Sequence, residues 1–178
     1  MSAGAGDPRR LPGDLMMWVL ILSELAVFAA GLLAFLAVRL TDPVGFAAAQ
    51  DQLHRLSAGI NTVVLVTSGL LAALALRRVR IGQVAGCRMM LLAAAGFGVL
   101  FLILKGIEYA HAGTGSEAFF TFYYLLTGFH AVHVIAGAVI LGICAITCRQ
   151  DHVQAGTQFW HMVDLVWVIL FPVIYLLR

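Results

Sequence analysis

The chain has 178 residues, 62% of them hydrophobic and only 11% charged, with a formal net charge of +2. A water-soluble domain is about 45–50% apolar and about 25% charged, so this chain lacks the polar surface needed to face water on every side. The small net charge also argues against a nucleic-acid binder, which would carry a basic face.

Taken in chain order, five apolar stretches are long enough to cross ~30 Å of hydrocarbon as helices, at about 15–40, 58–76, 88–108, 118–147 and 156–176. None shows the alternation of a barrel strand. The expected fold is all-α, a polytopic membrane protein with a single bundle of five transmembrane helices over residues 14–178. Residues 1–13 form a short cytoplasmic N-terminal segment. Pro12-Gly13-Asp14 breaks the chain ahead of the first span, with Asp14 as its N-cap. That span exceeds the 7–15-residue core of a signal peptide and contains Glu24, so it reads as retained despite Arg9 and Arg10. Thr41-Asp42-Pro43 ends it, because proline cannot continue a helix and constrains the residue before it. Ser116 is the expected cap of the fourth span. The sequence has no repeat, low-complexity tract or soluble domain.

Orientation follows from the basic residues. Five spans place the termini on opposite sides. Arg9, Arg10, Arg77, Arg78, Arg80, Arg88 and Arg149 fall on the N-terminal side, against Arg39, Arg55, Lys105 and Arg178 on the other. Seven against four predicts a cytoplasmic N-terminus and a periplasmic C-terminus in a bacterial inner (plasma) membrane.

Polar groups at membrane depth are costly and so mark partners or cavities. Glu24 lies about ten residues into the first span, or about 15 Å along it. It is expected to be buried, with a hydrogen-bonding partner on another helix. His130, His133 and His161 are the candidate histidines. His130 and His133 share a face in the fourth span, and His161 and Asp164 repeat that spacing in the fifth. Lys105 and Glu108 do so at the outer end of the third, which reads as a local ion pair near the interface. Asn61 and Thr62 open the second span, with Thr67 and Ser68 deeper in it. This inventory fits three arrangements. His-x-x-His, His-x-x-Asp and a glutamate on three helices could ligate a metal. A haem could sit between His130 or His133 and His161. Or the polar pairs lock helix interfaces, or serve a proton-linked role. Cys144 and Cys148 are one turn apart but lack partners for a zinc site, and with Cys87 they read as free thiols. Trp18, Trp160 and Trp167 are candidate interfacial anchors. Close helix contacts are expected at Gly128, Gly137 and Ala93 to Gly98, because small side chains let helices approach in lipid.

Five motifs then carry a resemblance. They are Met-Trp-Val-Leu-Ile-Leu-Ser-Glu from Met17 to Glu24, Ile-Asn-Thr-Val-Val-Leu-Val-Thr-Ser-Gly from Ile60 to Gly69, and Glu108-Tyr109. The last two are Thr-Gly-Phe-His-Ala-Val-His-Val from Thr127 to Val134 and Trp-His-Met-Val-Asp-Leu-Val-Trp from Trp160 to Trp167. In this order and spacing, from about residue 14 to the C-terminus, the chain resembles subunit III of the haem-copper oxidases. The resemblance implies a non-catalytic accessory subunit with no haem, copper or other metal of its own, no catalytic residue, and a larger catalytic membrane subunit as partner. It also implies an association with stability, bound phospholipid and proton uptake. It places Glu24 at the family's buried carboxylate, and His130, His133, His161 and Asp164 at family polar positions. The seven-span form has two further N-terminal helices that help wall a lipid cleft; the five spans here depart from it. The Leu11–Trp18 start, the short loops and the Phe171–Arg178 end most resemble a short branch associated with nitric oxide reductase, which would place the chain in denitrification. The alternatives are subunit III of a cytochrome c or ubiquinol oxidase, with a proton-uptake or lipid-binding role in respiratory electron transport, and, from another class, an independent small proton-linked transporter.

Overall fold

The computed structural model describes residues 15–111 and 116–177. The expected cap Asp14, the break at Pro12-Gly13, segment 1–13 and Arg178 lie outside the described residues. All regular structure among the described residues is helical: α1 Leu15–Arg39, α2 Pro43–Asp51, α3 Arg55–Arg80, α4 Val84–Ala110, α5 Glu117–Thr147 and α6 Gln150–Phe171, the last continued by a π-helical turn, Pro172–Leu176. Five of these are long and apolar enough to cross a membrane: α1, α3, α4, α5, and α6 with its π turn. The limits of α3, α4, α5 and α6 extend the sequence-based spans by up to six residues, because the helical hydrogen bonding continues beyond the apolar run, while α1 matches its span to within one residue.

The sixth helix, α2, was not expected. Its nine residues are too short to span. Asp42 initiates it by accepting from Gly45 N–H at 2.9 Å, and Pro43 occupies the first turn, where a missing N–H costs nothing. The tripeptide that stops α1 therefore also starts α2. Phe46 of α2 is fully buried and packs its ring 5.4 Å from Phe35 and 5.5 Å from Phe119. Gln50 donates to Ile174 O at 2.7 Å, which fastens α2 to the π turn. Ser116 does occupy the N-cap position of α5, but its side chain makes no capping bond.

Helices α3, α4, α5 and α6 contact one another in a ring, α3 against α4, α4 against α5, α5 against α6 and α6 against α3, and α1 leans on α5 and α6. The centre is organised by Trp160 of α6, which is fully buried. A Cβ at Gly98 on α4 or at Gly137 on α5 would come within 2.6 Å of the Trp160 ring, so the two glycines open the slot that the indole fills. Its Nε1 donates to Ser68 Oγ at 3.1 Å, and Ser68 Oγ donates to Ala94 O at 2.7 Å. One side chain thus ties α6 to α3 and, through it, α4. Trp160 and Trp167 are core residues, correcting their reading as interfacial anchors; Trp167 donates to Thr62 Oγ1 at 3.0 Å. Gly128 meets no neighbouring atom within 4 Å and marks no helix contact, unlike Gly137.

At the arginine-rich end, the α3–α4 turn uses Gly82 at φ 76, a left-handed position that glycine takes without a Cβ clash. Arg88 of α4 donates to Ala145 O at 2.9 Å, supplying a cation and a donor to the last carbonyls of α5.

Candidate functional site

The eight polar residues singled out in the sequence separate into distinct places. They do not converge on one centre.

The most enclosed place lies at the α2 end. Lys105 is 2% exposed and Glu108 6%. The Lys105 ammonium donates to Glu108 Oε1 at 3.2 Å, to Tyr123 Oη at 3.0 Å and to Tyr175 Oη, which uses all three N–H bonds. Tyr123 donates to Glu108 Oε1 at 2.8 Å, and Tyr175 donates to the same oxygen. Four rings, those of Tyr109, Tyr123, Trp167 and Tyr175, stand 4.8–5.3 Å from the ammonium nitrogen, an arrangement that adds cation–π attraction. Alongside, Thr127 Oγ1 donates to Tyr123 O, so its 2.6 Å contact with Tyr109 has the phenol as donor. The i,i+3 ion pair read from the spacing is present, and it is buried in a core network that joins α4, α5 and the π turn. Asn61 of α3 lies 1% exposed and reaches Phe101 O on α4 at 3.4 Å.

His130 and His133 part company. His130 is fully buried, 5.2 Å from the Trp167 ring and 5.6 Å from Phe101, and neither ring nitrogen has a hydrogen-bond partner in the protein. His133, one turn later, looks toward α1, where its Nε2 lies 3.1 Å from Glu24 Oε2. Its Nδ1 bonds Phe129 O at 2.9 Å. A neutral ring that donates from Nε2 to Glu24 could not also donate from Nδ1, so two donated bonds require the imidazolium. Either way this contact couples α1 to α5.

His161 and Asp164 form the third place, on α6 against α3. His161 Nδ1 stands 3.8 Å from Asp164 Oδ2. A Cβ at Gly69 of α3 would run into that carboxylate, so Gly69 makes the space that Asp164 occupies.

Among the described residues, no three of His, Cys, Asp and Glu stand close enough together to hold a metal ion. The spacing-based ligand set fails on geometry. His130 turns into an aromatic core, His133 turns to α1, and His161 sits on the α3 side of α6. Cys87, Cys144 and Cys148 are all buried and unpaired.

Sequence reasoning missed Tyr123, Tyr175 and Gly69, and it named Ser68 without its partner Trp160. The phenols were visible only as tyrosines at the Lys105 end of apolar runs, and nothing in periodicity assigns such residues a partner on another helix.

These features define a class: a polytopic helical membrane protein in which several buried or half-buried polar side chains join helices. The family model for cytochrome c oxidase subunit III matches residues 13–178. Cytochrome c oxidase subunit 3 of Synechocystis sp. is 30% identical, covering 92% of this chain and 76% of that protein. The protein of the same name from Corynebacterium diphtheriae is 26% identical, over 90% and 86% of the two chains. That from Mycosarcoma maydis is 33% identical over 65% of this chain, and the matched part is under half of its length, 46%. The chain belongs to the cytochrome c oxidase subunit III family. The narrower resemblance to the nitric oxide reductase branch finds no support here, since these relatives are named for cytochrome c oxidase.

Proposed function

We propose that this chain is a non-catalytic accessory subunit of a cytochrome c oxidase, bound to the larger catalytic membrane subunit and supporting its assembly and stability. The observation that carries the reading is the family match over residues 13–178. The disposition of polar groups supports it: the Lys105–Glu108 pair with Tyr123 and Tyr175, Glu24 with His133 and Trp160 with Ser68 each join helices. A bundle locked in this way is suited to bracing a neighbour. The arginine bias supports a cytoplasmic N-terminus and a periplasmic C-terminus within a bacterial plasma membrane, with phospholipid against the outward apolar faces. A nitric oxide reductase partner rests on the chain termini and short loops alone, so the oxidase is the partner proposed.

The test is extraction of a tagged chain in mild detergent and identification of what co-purifies. A haem-copper oxidase catalytic subunit is the expected companion. The large subunit of nitric oxide reductase would move the chain to denitrification. Recovery of the chain alone would overturn the accessory reading.

A further inference from the structure

Polar side chains on outward surfaces in the middle turns of the spans mostly close on their own bundle. Ser23 Oγ donates to Leu20 O at 2.8 Å, Thr67 Oγ1 to Val63 O at 2.8 Å, and Glu24 meets His133 at 3.1 Å. His161 does not close in this way. Its side chain is 46% exposed, and among the described residues its Nε2 meets no hydrogen-bonding group. It lies five positions (161 − 156) into the apolar run that begins at about residue 156, about 8 Å along the helix axis. That is inside ~30 Å of hydrocarbon, where lipid offers an imidazole nothing to bond.

Asp164 sharpens the point. It is 8% exposed, pressed against Gly69, and neither carboxylate oxygen has a hydrogen-bond partner. It faces His161 Nδ1 at 3.8 Å, longer than a hydrogen bond but within reach of a small rotation of the ring. With the ring turned to close that contact, an ionised Asp164 holds the ring proton on Nδ1 and leaves Nε2, on the far side of the ring, as an acceptor. Around it, Leu165 and Val168 of α6 and Val66 and Leu70 of α3 all face outward, an apolar border to a polar centre.

We propose that this strip of α6 and α3 is the face that docks on the catalytic subunit, and that His161 Nε2 accepts a hydrogen bond from a hydroxyl, amide or indole on one of that subunit's transmembrane helices. The inference rests on the accessory reading above for its occupant, and on the unclosed imidazole for its position. A bond that forms only on docking explains why a polar group costly in lipid stands outward at this depth.

A photo-crosslinking residue placed singly at Leu165 and Val168, and at Val99 and Ile103 on the outward face of α4, tests it in native membranes. Adducts with the catalytic subunit are expected from the first two positions and not from the second two. His161→Leu should lower the co-purified catalytic subunit about tenfold, the size of one buried hydrogen bond. The isolated variant should unfold at the same temperature as the native chain or higher, and His161→Gln, which keeps an acceptor, should retain more partner. Adducts from Val99 or Ile103 alone, or full partner recovery with His161→Leu, would overturn the face while leaving the accessory reading intact. Adducts joining two copies of this chain from Leu165, or adducts with lipid only, would overturn the occupant. No catalytic subunit captured at any position, and none co-purified by the native chain, would overturn the accessory reading itself.

Discussion

Lys105 and Glu108 illustrate how a buried charge is tolerated. Each loses its water, and the loss is offset by the bonds from Tyr123 and Tyr175 to the ammonium and to Glu108 Oε1, while Glu108 Oε2 is left without a partner. Removing one partner strands the other. Lys105→Met should therefore destabilise the protein by about 3–5 kcal/mol, and Lys105→Met with Glu108→Leu by clearly less than the sum of the two single changes. Thermal unfolding in detergent measures both. Glu24 differs: expected to be buried, it is instead 29% exposed and bonds His133 on a partly open surface. Glu24→Gln should keep the contact, and Glu24→Leu should cost about 1–3 kcal/mol by orphaning the imidazole; denaturant titration of the two variants separates them. The sequence pointed to Glu24 by its depth and to three histidines as candidate partners. It could not choose His133, because the choice depends on how α1 leans on α5, and residue spacing within one helix carries no such information. The tyrosines around Lys105 were illegible for the same reason.

At the scale of the elements, the spans were legible because hydrocarbon thickness imposes their length on the apolar runs. Helix α2 was not, since a nine-residue helix is specified by one cap, one proline and the aromatic contacts of Phe46, which are tertiary. The small-residue expectation separates in the same way. Gly98 and Gly137 are contact glycines because Trp160 lies between them, whereas Gly128 faces open space on the same helix as Gly137. Composition cannot say which side of a helix meets an indole. Gly137→Leu or Gly98→Leu should cost about 1–3 kcal/mol by overpacking the Trp160 slot. Gly128→Leu should be near neutral. Retention of the folded chain through heating and size-exclusion chromatography reads the difference, and equal losses at all three positions would place the indole elsewhere.

For the whole molecule, the regular structure among the described residues is all-helical, five helices are long and apolar enough to cross a membrane, and the polar groups singled out in the sequence diverge. The topology has a direct check: reporter fusions after Arg80 and after Arg178 should give opposite sides of the membrane, with Arg80 cytoplasmic, and reports from one side only would contradict five crossings. The accessory reading is tested most directly by the turnover of the catalytic core purified from cells lacking this chain. Fewer assembled oxidase molecules per cell are expected, each core still reducing oxygen at a substantial fraction of the native rate. A fully assembled, haem-loaded core with no turnover, restored by adding back this chain alone, would contradict it.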